Sequence, residues 1–150
     1  MTLEQKPEPA DPSMRSVTMS NLETVQEMYA AFGRGDVPAI LSKLADDVEW
    51  DADSTSDVPL LQPRHGRDGV GAFFGSLAAV DFTNFAPTAF LESDNVVVAL
   101  IDVEFTVKAT GRSVKQPDEA HIWRFGPDGK VVSFRHRVDT HAQHLAFSGR

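Results

Sequence analysis

The sequence predicts an α+β fold in which a curved sheet wraps round a pocket, and three observations carry that prediction. The run from Ser20 to Asp53 reads as two capped helices joined by a glycine turn and followed by a strand. A third amphipathic helix follows near Asp68, and from Phe82 onward four strand-sized segments alternate apolar and polar residues. The 150 residues, 41% of them apolar, suit one domain with a core of its own.

The first helix opens at Ser20 with Glu23 three residues on, a capping box in which each side chain satisfies a backbone N–H of the other. Its apolar face is Leu22, Val25, Tyr29 and Phe32. Gly33 and Gly35 end it, Asp36 caps a second short helix, and Ile40, Leu41 and Leu44 give that helix a buried side. Val70, Phe73, Phe74 and Leu77 recur at helical spacing and mark the third.

Strands are expected at 48–53, 82–92, 96–107, 118–125 and 131–139, with turns at 93–95 and 126–129. Along 96–107 the odd positions Val97 to Val107 form an unbroken apolar face. In the first strand Val48, Trp50 and Ala52 are expected to point inward, and Glu49, Asp51 and Asp53 outward. Residues 1–19, with Pro7, Pro9 and Pro12 among acidic residues, read as a disordered tail; 20–147 is the domain and 148–150 a short C-terminal tail.

A net charge of −8 and a pI near 5.0 argue against nucleic acid or an anionic membrane as partner. Cysteine is absent, which excludes disulfides and thiolate chemistry and suits the cytoplasm. No glycine-rich phosphate loop, serine elbow or dinucleotide fingerprint is present, and no cofactor is called for. His141 and His144 have a spacing that suits a metal on a helix, but no third ligand stands near them in sequence, and no metal is expected.

The chemistry is expected in the final hairpin. The fourth strand puts Glu119, His121 and Trp123 on one side, and the fifth puts Val132, Phe134, His136 and Val138 together. Pairing that keeps these faces together sets Trp123 opposite Val132, His121 opposite Phe134 and Glu119 opposite His136. One carboxylate and two imidazoles would then converge on an apolar interior, where coupled titration suits them to moving protons. Arg124, Arg135 and Arg137 fall on the outer face with Asp102 and Glu104.

The stretches YAAFGRGDVPAILSKLADDVEW, HGRDGVGAFF and HIWRFGPDGKVVSFRHRVDT resemble the SnoaL-like branch of the nuclear-transport-factor-2-like superfamily, over residues 20–147. That resemblance implies a cone-shaped barrel whose curved sheet and three helices enclose a hydrophobic pocket, usually in a homodimer. Its enzymatic relatives are ketosteroid isomerase, polyketide cyclases, scytalone dehydratase and limonene epoxide hydrolase; the superfamily also holds pure binding modules. A gapless overlay on ketosteroid isomerase puts Ala52 at that enzyme's proton-shuttling aspartate, Met28 at its oxyanion-hole tyrosine and His121 at its protonated oxyanion-hole aspartate. Asp139 resembles the base of the polyketide cyclases.

The expected ligand is a small hydrophobic molecule bearing a carbonyl or hydroxyl, walled by Trp50, Phe73, Trp123 and Phe134, with Tyr29 as a pocket donor. The expected chemistry is cofactor-free isomerisation, cyclisation or dehydration, with His121 polarising the oxygen, His136 or Asp139 as base and Glu119 orienting His136. The alternative is a ligand-binding or dimerisation module without catalysis.

Overall fold

A computed structural model describes residues 19–149; the tail expected at 1–19 lies almost wholly outside the described residues. Helices α1 (Asn21–Gly33) and α2 (Val37–Leu41) lead into strand β1 (Leu44–Trp50). Strand β2 (Arg64–His65) precedes helix α3 (Gly66–Ser76), and then come β3 (Val80–Ser93), β4 (Val96–Val107), β5 (Ser113–Phe125), β6 (Val131–Arg137) and helix α4 (Thr140–Ser148). The strands form one curved sheet, open at both edges, in the order β2-β1-β6-β5-β4-β3. Neighbours are antiparallel except β1 and β6, which run parallel.

Local signals act as expected at the start. Ser20 and Glu23 form the reciprocal capping box at 3.0 Å each way, and Asp36 caps α2 through the Ala39 N–H. Val25, Met28 and Ala31 from α1 pack with Val70 and Phe73 from α3 on the concave face of the sheet. Strand β4 alternates without a fault: Val97, Ala99, Ile101, Val103, Phe105 and Val107 are all buried. Gly66 turns the chain into α3 with φ of 72°, and a Cβ there would sit 3.3 Å from the Asp46 carbonyl oxygen.

Four departures from the sequence-based expectation bear on the site. Strand β1 ends at Trp50, and Asp51 adopts φ of 53°; the change of backbone turns Asp51 inward to full burial and leaves Ala52 exposed, the reverse of the expectation. Asp118, at φ of 55°, sits at a bulge where β5 slips against β4, so Val114 and the run Glu119, His121, Trp123 share the inner face despite opposite parity. A second bulge buries Val131 and pushes Val132 out to 37% exposure. The hairpin register is therefore two residues from that expected, with Trp123 opposite Phe134 and His121 directly opposite His136.

The fourth departure is α4. It was not among the expected elements, although Asp139 caps it through the Ala142 N–H and Gly149 ends it at φ of 75°. Ala146 from α4 joins Val58, Leu60 and Leu61 of the segment between β1 and β2 against Val103 and Phe105 of β4. Arg135 and Arg137 meet Asp53 rather than Asp102 or Glu104. Among the described residues no helix is long and apolar enough to cross a membrane.

The face assignment of β4 makes a stability prediction. Ile101→Ala, which empties a fully buried site, is expected to cost ~2–5 kcal/mol in urea unfolding. Leu91→Ala, at a site 56% exposed, is expected to change stability by less than about 0.5 kcal/mol; equal losses would contradict the assignment.

Candidate functional site

A cavity of about 70 Å³ lies between the sheet and helices α1, α3 and α4, with walls formed by Tyr29, Trp50, Phe73, Trp123, Phe134 and further aromatic and aliphatic residues. All five residues expected to line a pocket do so. Trp50 stacks on Phe134 with ring centroids 4.0 Å apart, and Trp123 packs against Phe134 at 4.5 Å. Glu119, His121 and His136 enter the same space from β5 and β6.

Two hydrogen-bonded systems meet there. In the first, the Trp123 indole N–H donates to the Tyr29 hydroxyl at 3.1 Å. Tyr29 Oη lies 2.6 Å from His121 Nδ1, and His121 Nε2 lies 2.6 Å from Glu119 Oε2. Burial raises the pKa of the Tyr29 phenol and Glu119 adds to the rise, outweighing the Trp123 hydrogen bond, so Tyr29 keeps its proton. Burial also holds His121 below the ordinary imidazole range despite the pull of Glu119. For Glu119, burial acts upward, but the hydrogen bond with His121 and the nearness of both histidines outweigh it and hold the carboxyl below its ordinary range. The neutral ring therefore carries its proton on Nε2, donates to the Glu119 carboxylate and accepts from the Tyr29 O–H.

The second system is Asp51 with His136. One Asp51 oxygen accepts from the His136 backbone N–H and the other from His136 Nδ1, both at 2.7 Å. This fixes the proton of the neutral ring on Nδ1 and leaves Nε2 without a protein hydrogen-bond partner among the described residues, on a ring that borders the cavity. The two imidazoles stand edge to face with centroids 5.1 Å apart. Asp51 and His136 also border an outward-opening polar cleft with Asp53, Arg137 and His141, so His136 lines both the cavity and the cleft.

Strand alternation alone sets Asp51 on a solvated face; the left-handed backbone at this residue breaks that alternation and turns the carboxylate inward. Glu119 orients His121, not His136. Asp139 does not join the site: exposed at the start of α4, it spends its carboxylate on the helix cap. Beside two positions named by the overlay on ketosteroid isomerase stand polar groups of the site. Tyr29 supplies the phenol beside Met28, and Asp51 supplies a buried carboxylate beside Ala52. His144 pairs with Asp57 at 2.9 Å on the surface.

Ligand atoms of Glu119, His121 and His136 all lie within 4.8 Å of one another, a two-imidazole, one-carboxylate set that can in principle hold a metal ion. The 2.6 Å contact between His121 Nε2 and Glu119 is a hydrogen bond already made, so an ion would have to displace that proton.

A SnoaL-like domain model matches residues 25–134. The chain belongs to the SnoaL-like domain family. Among solved structures, this SnoaL-like protein is similar to an NTF2-like protein of unknown function from Burkholderia pseudomallei K96243, with 32% identity, 84% of this chain and 95% of that one covered, and a TM-score of 0.70. An NTF2-like protein from Burkholderia xenovorans LB400 matches at 27% identity over 85% and 98% of the two chains, with a TM-score of 0.75. TerC, crystallised with polyporic acid, shares the fold at 24% identity over 85% and 98%, with a TM-score of 0.67. No curated protein matches the sequence.

The buried histidine makes stability depend on pH. The folded-state pKa of His121 lies below the ordinary 6.5, so the unfolded chain binds more protons as pH falls from that value, and stability is lost there; the depressed Glu119 carboxyl adds a further loss below about 4.5. Urea midpoints are expected to fall between pH 7 and pH 5. His121→Asn is expected to be less stable at pH 7 and to show a flatter profile over that range, and an unchanged slope would contradict the assignment.

Proposed function

We propose that this SnoaL-like protein binds a flat, hydrophobic molecule bearing a carbonyl or hydroxyl and moves a proton at the carbon beside that oxygen. The observation that carries this reading is His136 on the wall of an apolar cavity, its Nδ1 held by Asp51 and its Nε2 without a protein partner among the described residues. His136 takes the proton, and the Asp51 carboxylate stabilises the resulting imidazolium, as in other oriented acid–base pairs. Isomerisation, cyclisation and dehydration all contain this step, and no cofactor takes part in it.

The substrate oxygen is received by Tyr29 rather than directly by His121, because both nitrogens of His121 already have protein partners. The Tyr29 O–H turns from His121 Nδ1 to the developing oxyanion, exchanging one acceptor for another with no proton transferred. Glu119 keeps the neutral His121 ring in place through its Nε2–H. TerC, which has the same fold, was crystallised with polyporic acid, a precedent for a small ligand in such a scaffold.

The closed Trp123–Tyr29–His121–Glu119 chain favours a second reading, a binding module without catalysis, since those groups satisfy one another. Proton exchange separates the two. With 2-tetralone in D₂O, the protein is expected to accelerate exchange at the carbon next to the carbonyl, followed by NMR. His136→Ala is expected to lower that rate by ~10²–10⁴-fold, a typical contribution of a general base. Asp51→Asn is expected to lower it at least tenfold, and Asp139→Ala to leave it unchanged. Tight binding with no exchange would favour the module, and full exchange in His136→Ala would overturn the assignment of the base.

A further inference from the structure

The cavity contains a polar group that the proposed chemistry does not use. Gln143 lies on α4, three residues before Ala146 and on the same helix face, and is only 2% exposed. Its side chain forms part of the cavity wall, and its Oε1 is fully buried with no hydrogen-bond partner among the described residues. Buried amide oxygens without partners are rare in folded proteins, and a helix face that otherwise packs against aliphatic residues would be better served by leucine or methionine. Trp50, another wall residue, likewise has a buried indole N–H without a partner.

We propose that Gln143 is a second polar pole of the cavity, one that selects ligands carrying a hydroxyl in addition to the reacting carbonyl. This inference rests on the reading of the cavity as a ligand site and specifies what that ligand must carry. A hydroxyl suits the position because it donates to Oε1 and, with the amide turned over, accepts from the same side chain. A carboxylate does not suit it. The cavity wall contains Glu119 and, among the described residues, no lysine or arginine, and the carboxylate of Asp51 lies behind His136, so an anionic ligand would enter a low-dielectric space already negative. The ligand class is therefore a neutral, flat hydroxyketone. A site built to bond a hydroxyl discriminates strongly against the analogue lacking it, because the protein group is then left unpaired.

The test compares 2-tetralone with its ring-hydroxylated isomers by calorimetry or tryptophan fluorescence, in the wild-type chain and in Gln143→Leu and Gln143→Met. At least one hydroxyl isomer is expected to bind wild type ten times or more tightly than 2-tetralone. Both variants are expected to reduce that preference to less than threefold, to leave the affinity for 2-tetralone within twofold and to melt at or above the wild-type temperature. A preference that persists in the variants, or no preference for any isomer while 2-tetralone binds, overturns the role of Gln143 alone. A large loss of thermal stability in both variants also overturns it, since it would show the amide bonded within the protein. Failure of every ketone to bind overturns this inference together with the reading of the pocket.

Discussion

Two carboxylates buried beside an apolar cavity, with no lysine or arginine paired to either among the described residues, set the terms for this molecule. Each is held by an imidazole. Glu119 takes the His121 N–H, and Asp51 takes the His136 side chain and backbone together. Without those donors either carboxylate would bear the full cost of leaving water, so the hairpin that sets His121 opposite His136 is also the device that makes the interior tolerable. The register of β5 on β6, the left-handed residue after β1 and the phenol on α1 all serve that arrangement.

The pairing also divides the labour between two rings of the same type. His121 is enclosed, with both nitrogens committed, and acts through Tyr29. His136 is committed on one side only, and it stands between the inner cavity and the outer cleft. Identical side chains thus acquire opposite tautomers from the partner each is given, and the difference is what allows one to take a proton while the other steadies an oxygen.

Much of the scaffold was legible in the sequence because its signals were local and regular. The Ser20–Glu23 capping box, the Asp36 cap and the alternation of β4 correspond to the structure residue by residue. The inward set of Glu119, His121, Trp123, Phe134 and His136 was also legible, since an error of two residues in register preserves the face. Asp51 was not. A strand pattern extended one residue too far turns an inward carboxylate into an outward one, and the local mark of the left-handed backbone there is the aspartate itself, a type that tolerates it more readily than most. Val132 was misplaced for the related reason that a bulge resets parity. Helix α4 carried a cap and a terminal glycine, but its nine residues have only a weakly apolar face, and Gln143 takes part of it.

The account rests on the tautomers of the two histidines, which long-range ¹H–¹⁵N correlation spectra of imidazole-labelled protein at neutral pH read directly. The prediction is a proton on Nδ1 of His136, lost as the dominant site in Asp51→Asn, and a proton on Nε2 of His121. Spectra with His136 protonated on Nε2, or with both rings in rapid exchange as in free histidine, would contradict it.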